Sequence, residues 1–263
     1  MKNRKTIEHP ILAIAVEYKG SEHKHQALLL AENLNLPLVG EDEQYDLILR
    51  CTDKELELYR PGDRLLTGSV RAEFVQGPSG YRRNRGGTEI LVRAIGHKRN
   101  SRTKVLDATG GLGRDAFIMA SHGCQVRIME KNPVVAALLA DGLRRASSHP
   151  ETREISRRIS LITGNSRDLL MTENMEDEFD VIYIDPMFPQ RSKSARVKKE
   201  LQILQQLVGP DADIDKLFAA ALQKAGKRVV VKRPKGAPSL QGPNPSCTLG
   251  GRTIRFDVYL IRS

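Results

Sequence analysis

The stretch VLDATGGLGRDA, Val105–Ala116, decides the fold. Its apolar beginning predicts a strand that ends at Asp107, and its last residues predict the first turn of a helix. Gly110, Gly111 and Gly113 lie between the two, and glycine allows both a tight turn and a close approach of the backbone to a bound molecule. A strand, a glycine turn and a helix in this order are typical of a doubly wound α/β sheet.

The chain around this stretch alternates between short apolar strands and helices. Strands are predicted at KVLDAT, QVRIME, ISLIT, FDVIYID, RVVVKR and TIRFDVYLI. Helices are predicted at TEILVRAIG, RDAFIMASHG, PVVAALLADGLRRAS, ARVKKELQILQQLVG and DIDKLFAAALQKAG. Such alternation indicates an α/β fold with a mostly parallel, doubly wound, Rossmann-like sheet.

The first part of the chain predicts a separate small α/β lobe. Four stretches indicate a strand, a helix, a hairpin and a further strand, in this order: ILAIAVEY, HKHQALLLAENLNL, YDLILRCTDKELELYR and GSVRAEFV. A Gly- and Arg-rich loop, QGPSGYRRNRGG, follows them and marks a boundary. We therefore expect an N-terminal lobe over residues 1–78 and a larger domain over 79–263.

The glycine turn alone leaves two cofactors open. Gly111, Gly113 and Ala116 match the dinucleotide fingerprint G-x-G-x-x-A, and Glu130 ends the next predicted strand. An acid at about this distance holds a ribose hydroxyl in such folds. A nicotinamide dehydrogenase and an S-adenosylmethionine enzyme both agree with this pattern.

Three aspartates favour the second of these cofactors. Asp107 and Asp115 flank the glycine turn, and Asp185 ends another strand, which should reach the same edge of the sheet. Carboxylates around a helix N-terminus repel a pyrophosphate, but they suit a ligand that carries an ammonium, a sulfonium and ribose hydroxyls. The sequence therefore predicts S-adenosylmethionine rather than NAD.

The stretch VIYIDPMFPQ, Val181–Gln190, predicts the chemistry. Its DPMF resembles the [DNS]-P-P-[YFW] motif of amino-methyltransferases, with Met187 in place of the second proline. The Asp185 carboxylate and the Pro186 carbonyl could accept the hydrogens of an exocyclic amine and orient its lone pair, since proline keeps that carbonyl fixed. Phe188 could stack on a base that is rotated out of its helix. These three residues are the predicted catalytic residues.

The charge is unevenly distributed and favours a nucleic-acid partner. The net charge is +10, yet residues 1–80 carry ten basic and thirteen acidic residues. Tyr81–Lys104 has eight basic residues and one acid, and RSKSARVKK, Arg191–Lys199, has five basic residues and no acid. Neutralisation of phosphates by such clusters releases counterions and raises affinity for RNA. A membrane surface is only the second candidate. It is weakened because no convincing amphipathic anchor helix is predicted.

Several other classes are disfavoured. Cys51, Cys124 and Cys247 lie far apart, so neither a metal site nor a disulfide framework is predicted. No apolar stretch approaches the roughly 20 residues that a membrane span needs, and no signal-peptide pattern follows the N-terminus. We expect a cytoplasmic protein without a metal, and a monomer is favoured although the oligomeric state is left open.

Five longer stretches together resemble one family, the ribosomal RNA small subunit methyltransferase J family. They are DATGGLGRDAF, CQVRIMEKNPVVAALLADGL, IYIDPMFPQRSKSARVKKE, LVGPDAD and KRVVVKRP. The Arg- and Gly-rich segment EFVQGPSGYRRNRGGTEILVRAIG also resembles that family, so the similarity covers roughly residues 60–263. Methionine in the DPMFP motif agrees with the family's pattern.

This resemblance implies methyl transfer from S-adenosylmethionine to the exocyclic N2 of one guanine in small-subunit ribosomal RNA. It also implies a set of cofactor contacts: Arg114, Asp115, Glu130, Lys131, Asn165, Ser166 and Asp185. Asn165 departs from the family pattern, which has serine at that position. Naked RNA and the assembled 30S subunit both remain open as the substrate.

Two alternatives remain open from the sequence. One is an amino-methyltransferase of the same fold that acts on DNA or on a protein glutamine. The other is an RNA-binding module that has lost catalysis. An intact glycine turn, Glu130 and Asp185 oppose the second, since an inactive site has no reason to keep all three.

Overall fold

The computed structural model describes residues 12–40, 43–62, 69–76, 89–99, 101–172, 179–187, 199–209 and 213–261. The chain divides into two compact units. The first comprises Met1–Arg71 and Met187–Pro210, and the second comprises Ala72–Pro186 and Asp211–Ser263. The limits 1–78 and 79–263 for lobe and domain stay a prediction.

The described strands are β1 (Ile14–Tyr18), β2 (Leu47–Cys51), β3 (Leu56–Tyr59), β4 (Lys104–Asp107), β5 (Gln125–Glu130), β6 (Ile159–Thr163), β7 (Val181–Ile184), β8 (Arg228–Pro234), β9 (Cys247–Gly250) and β10 (Ile254–Leu260). The described α-helices are α1 (Lys24–Leu34), α2 (Glu89–Ile95), α3 (Arg114–Ser121), α4 (Pro133–Ser148), α5 (Arg153–Ser156), α6 (Ser166–Leu170), α7 (Lys199–Val208) and α8 (Ile214–Lys224). One 3-10 turn covers Ser21–His23.

The first unit contains a three-stranded sheet in the order β1-β2-β3. Helix α1 connects β1 to the parallel strand β2, and β2 and β3 form the predicted hairpin. The further strand predicted at residues 68–75 is wrong, because Val70 forms only an isolated bridge to Leu58. The backbone then turns, since the N–H groups of Val75 and Gln76 donate to the Glu73 carboxylate at 2.7 and 3.0 Å.

The second unit contains a seven-stranded sheet in the order β6-β5-β4-β7-β8-β10-β9. Strands β6, β5, β4, β7 and β8 are parallel, whereas β10 is antiparallel to β8 and β9 is antiparallel to β10. The chain winds from β4 to one side through β5 and β6, and to the other side through β7 and β8. The predicted α/β, Rossmann-like fold is confirmed, and its switch point lies between β4 and β7.

The central strands of this sheet are buried along their length. All four residues of β7 are buried, and so are Val229, Val230 and Val231 of β8. Helix α8 packs Phe218 into the same core, with its ring 4.8 Å from that of Tyr259. Continuous apolar runs are expected for parallel strands that are covered on both faces. The residues that follow such strands are therefore held on a rigid support.

Candidate active site at the carboxyl edge of the sheet

The glycine turn after β4 is packed so closely that it excludes other side chains. The Gly110 N–H donates to the Met129 carbonyl at 2.9 Å, and a Cβ on Gly110 would lie 2.4 Å from Ile128 Cγ2. Gly113 has a φ of +69°, and a Cβ there would lie 2.7 Å from Leu139 Cδ1. Gly110 therefore requires glycine for space, and Gly113 requires it chiefly for its positive φ.

Glu130 connects this turn to the next one. Its side chain is buried, its Oε2 accepts from the Gly111 N–H at 2.7 Å, and its Oε1 accepts from the Asn132 N–H at 2.7 Å. Asn132 in turn caps α4 by accepting from Val134 and Val135. A carboxylate accepts hydrogen bonds through both of its oxygens, which is the chemistry that ribose hydroxyls require.

The aspartates predicted to share one edge of the sheet do meet there, around a lysine. Lys232 Nζ lies 2.7 Å from Asp115 Oδ2 and 2.8 Å from Asp185 Oδ2. The Tyr183 hydroxyl donates to the same Asp115 oxygen at 2.6 Å. Lys232 and Tyr183 were not predicted from the sequence. A lysine directly after three valines in a predicted strand was the one available signal for Lys232.

Asp107 is the most deeply buried carboxyl of this group. Burial raises the pKa of Asp107 to about 8, and the negative charges of Asp115 and Asp185 add to the increase. The Thr109 N–H, which donates to Asp107 Oδ1 at 3.2 Å, and the Lys232 ammonium oppose it. At neutral pH the ligand-free site therefore holds Asp107 mainly as the neutral acid.

The lysine and the tyrosine keep the protonation states that their bonds require. Burial lowers the pKa of Lys232, but the charges of Asp115 and Asp185 outweigh it and raise the pKa overall. Burial and the same carboxylates raise the pKa of Tyr183 well above its usual value. Lys232 is therefore a cation and Tyr183 a neutral hydroxyl donor.

The described residues of the DPMF motif, Asp185, Pro186 and Met187, follow β7 directly. The Asp185 N–H donates to Thr109 Oγ1 at 2.6 Å, which ties this segment to the residues after β4. Pro186 is buried. Phe188, the third predicted catalytic residue, lies outside the described residues.

The remaining predicted cofactor residues lie around the same edge. Arg114 begins α3 and is exposed, and Lys131 follows Glu130 and is also exposed. The buried Ser166 donates its hydroxyl to the Ala108 carbonyl at 2.6 Å, at the end of β4. Asn165 is exposed and accepts from the Arg167 N–H at 3.0 Å, so it caps α6. Contact of these four residues with a cofactor stays a prediction.

The donor set agrees with S-adenosylmethionine. Glu130, Asp107, Asp115 and Asp185 place four carboxyl groups at one edge, and the Lys232 ammonium lies between two of them, Asp115 and Asp185. Such a site disfavours a pyrophosphate and favours a ligand with a sulfonium, an ammonium and ribose hydroxyls.

Among the described residues, no group of three or more His, Cys, Asp or Glu could hold a metal ion. Within the same part of the chain, no helix is both long and apolar enough to cross a membrane.

Comparison with known proteins gives consistent matches over nearly the whole chain. A family model described as "Putative SAM-dependent methyltransferase" matches residues 29–261. Ribosomal RNA small subunit methyltransferase J of Thioalkalivibrio sulfidiphilus is 45% identical over 94% of this chain and 97% of that protein. The protein of the same name from Dechloromonas aromatica is 47% identical over 90% and 96%. A crystal structure of a SAM-dependent methyltransferase from Neisseria gonorrhoeae has a TM-score of 0.72 at 33% identity, covering 94% of this chain and 96% of that one.

Proposed function

The chain belongs to the ribosomal RNA small subunit methyltransferase J family, and we propose that it methylates the exocyclic N2 of one guanine in small-subunit ribosomal RNA. As a member of this family it is an S-adenosylmethionine-dependent methyltransferase. One observation carries the proposal: Asp185, in a DPMF turn after β7, lies beside the glycine turn at the switch point of the sheet.

The cofactor would be held by residues on both sides of the glycine turn. Glu130 would accept the ribose hydroxyls, and Asp107 and Asp115 would face the positively charged part of the molecule. Arg114, Lys131, Asn165 and Ser166 would supply further contacts. When bound, S-adenosylmethionine supplies a methyl carbon whose bond to sulfur breaks, leaving the electron pair on sulfur, as the amine nitrogen forms its new bond to carbon.

The residues of the DPMF turn would prepare the amine for this reaction. The Asp185 carboxylate and the Pro186 carbonyl would accept its hydrogens, so that the nitrogen lone pair points toward the methyl group. Asp185 could also accept the proton that the nitrogen releases once it has been methylated. Phe188 would stack on the guanine and hold it in place. Most of the rate increase would then come from positioning.

The substrate would be recognised largely through phosphates. The two basic clusters of the sequence, Tyr81–Lys104 and Arg191–Lys199, would supply this affinity. Much of the first cluster and nearly all of the second lie outside the described residues. We further propose that the substrate is the RNA of the 30S subunit, that the enzyme acts in the cytoplasm, and that it acts as a monomer.

Mass mapping of modified nucleotides in ribosomal RNA tests this function. A strain that lacks the gene should lose one N2-methylguanine in its small-subunit RNA, and the purified enzyme should restore it on subunits from that strain. Retention of every methylguanine in the deletion strain would contradict the proposal. Methylation of DNA or of a protein glutamine instead would support the alternative substrates.

Calorimetry tests the cofactor separately. S-adenosylhomocysteine should bind to the purified protein, whereas NAD should not, because four carboxyl groups surround its pyrophosphate position. Binding of NAD without a response to S-adenosylhomocysteine would contradict this assignment of the pocket.

A further inference from the structure

We propose that Lys232 is a positioning residue for methyl transfer, which holds the Asp185 carboxylate ionised and oriented toward the guanine amine. This inference rests on the proposed function of Asp185. It adds a role for a residue on β8, outside both the glycine turn and the DPMF turn.

The pairing of two strands brings the lysine to this place. Strands β7 and β8 are parallel, and Ile184 is paired with Val231. Asp185 directly follows Ile184, and Lys232 directly follows Val231. Their side chains therefore point to the same side of the sheet. The resulting distance from Lys232 Nζ to Asp185 Oδ2 is 2.8 Å.

A second carboxylate fixes the lysine from the other side. Asp115 lies in the first turn of α3. Its Oδ2 accepts hydrogen bonds from Lys232 Nζ at 2.7 Å and from the Tyr183 hydroxyl at 2.6 Å. The Lys232 side chain is only 22% exposed, so the ammonium has little freedom to leave this position. Asp185 is thereby held through Lys232 by two elements, β8 and α3.

The neighbouring charges show why Asp185 needs such a partner. Asp115 on α3 and the carboxyl of Asp107 at the end of β4 face the same cluster, and Tyr183 on β7 adds a neutral hydroxyl. Negative charges nearby oppose the ionisation of a carboxyl group, and Lys232 places a positive charge in direct contact with both Asp115 and Asp185. A protonated Asp185 would be a poorer acceptor for the amine and could not take up its proton.

A structural role alone gives a weak reason to bury this lysine. Taking the Lys232 ammonium and the Asp115 carboxylate, which are 22% and 15% exposed, out of water is costly, and well-packed apolar side chains often stabilise a fold at least as well. An acceptor that must stay charged beside other acids gives a direct reason for the same arrangement.

The test compares Lys232→Met, Lys232→Gln and Lys232→Arg in single-turnover methylation of small subunits from the deletion strain. Lys232→Met should move the acidic limb of the pH–rate profile upward by about one to two units, and should therefore lower the rate roughly 10–100-fold at pH values on that limb, since each unit corresponds to a tenfold change. Part of the rate should return at higher pH. Lys232→Gln should behave similarly, because glutamine carries no charge, whereas Lys232→Arg should retain most activity and the original profile.

Lys227→Met is the matched control. Lys227 also pairs with an aspartate at 2.8 Å, Asp180, but it lies before β8 at the opposite edge of the sheet and is 69% exposed. Its replacement should change neither the rate nor the profile. A shift of the profile in this variant as well would show that the effect is not specific to Lys232, and would overturn the proposal.

Two measurements do not depend on activity. The carboxyl resonances of the ligand-free protein, with Asp185 assigned through Asp185→Asn, should show a higher titration midpoint of Asp185 in Lys232→Met. Affinity for S-adenosylhomocysteine and the melting temperature show whether the variant is folded. If Lys232→Met does not fold, the titration in Lys232→Gln decides.

An unchanged midpoint and profile in folded Lys232→Met or Lys232→Gln would overturn the role of Lys232. Absence of methylation by the wild-type enzyme would instead contradict the proposed function. The two failures are therefore distinguishable.

Discussion

The two edges of the seven-stranded sheet carry similar ion pairs in very different surroundings. At the carboxyl edge, Lys232 bridges Asp115 and Asp185 and its side chain is 22% exposed. At the amino edge, Lys227 pairs with Asp180 over the same distance of 2.8 Å, but its side chain is 69% exposed. A largely exposed pair is worth at most about 1 kcal/mol. Burial raises the pKa of Asp180 but Lys227 outweighs it and lowers that pKa overall, whereas at the carboxyl edge burial and the neighbouring carboxylates raise the pKa of Asp107 to about 8. Burial, rather than the presence of a pair, therefore distinguishes the candidate active site.

The amino edge is also basic where the carboxyl edge is acidic. A cavity of about 260 Å³ at the beginnings of β4, β5 and β6 is lined by Lys104, Arg127, Arg157 and Arg158. The Arg127 guanidinium lies 5.2 Å from the Phe179 ring centroid. Basic residues predominate among the charged residues that line this cavity, whereas acids predominate at the carboxyl edge, and this contrast makes the two edges useful controls for each other.

Replacement of Asp185, at the carboxyl edge, should have the largest effect on the methyl-transfer rate. Asp185→Ala should reduce the methyl-transfer rate roughly 10²–10⁴-fold, the range of a positioned acid or base, because the amine loses its acceptor. Asp185→Asn keeps one acceptor oxygen and should retain more activity than Ala. Single-turnover rates measure both. Asp180→Ala, at the amino edge, is the control and should leave the rate of the folded enzyme nearly unchanged; an equal loss there would remove the distinction between the edges.

Replacement of Phe188 should have a smaller effect, which is limited to the binding of the RNA base. Phe188→Ala should remove the stacking of the ring on the base and so weaken this binding by roughly 1–3 kcal/mol. Affinity for S-adenosylhomocysteine should stay the same. Phe179→Leu at the amino edge tests whether any phenylalanine change has this effect. If Phe188→Ala turns over normally, its ring serves only for packing.

Charge reversal should show which basic region binds RNA. Arg82, Arg83 and Arg85 changed together to Glu should weaken RNA binding at least about tenfold and reduce its salt dependence, since three phosphate contacts are lost. Cofactor affinity should not change. Arg157→Glu with Arg158→Glu, in the cavity of the amino edge, is the counterpart, and we expect little effect of this pair. The reverse result would move RNA binding to the amino edge.

Replacement of Asp107 should have the smallest effect, and this effect should appear in the pH dependence of the melting temperature. Because the folded-state pKa of about 8 lies above the ordinary value of 3.8, the contribution of Asp107 to stability is lost as pH rises through the folded pKa. Asp107→Asn lacks this loss of stability, so its melting temperature should lie a few degrees above that of the wild type at pH 8. The difference between the two melting temperatures should narrow toward pH 5, as thermal unfolding at several pH values would show. A constant difference would mean that Asp107 does not titrate in this range.

The sequence predicted the parts of the site that depend on one strand and its following turn. Asp107, Asp115 and Asp185 were expected at one edge because the carboxyl ends of parallel strands meet there. Their meeting at Lys232 was not predicted, because it depends on the pairing and register of β7 and β8, which are far apart in the chain. Tyr183 lies within an apolar strand and had no pattern that distinguished it from a core residue.

Some local features were also beyond the sequence. Strand β9 was not predicted, because CTLG shows no clear alternation of apolar and polar residues. Asn165 was predicted only as a cofactor contact, yet its side chain caps α6. Asparagine at a cap and asparagine at a ligand look the same in a sequence, since both positions use the same amide oxygen.

The tight packing of the glycine turn has a consequence for the gene. Every missense change in the codons of Gly110 and Gly113 adds at least a Cβ, because no other encoded residue lacks it. The added atom would meet Ile128 or Leu139 at 2.4 or 2.7 Å. In a saturation scan read out by growth of a strain that depends on the modification, these two codons should therefore tolerate only synonymous changes.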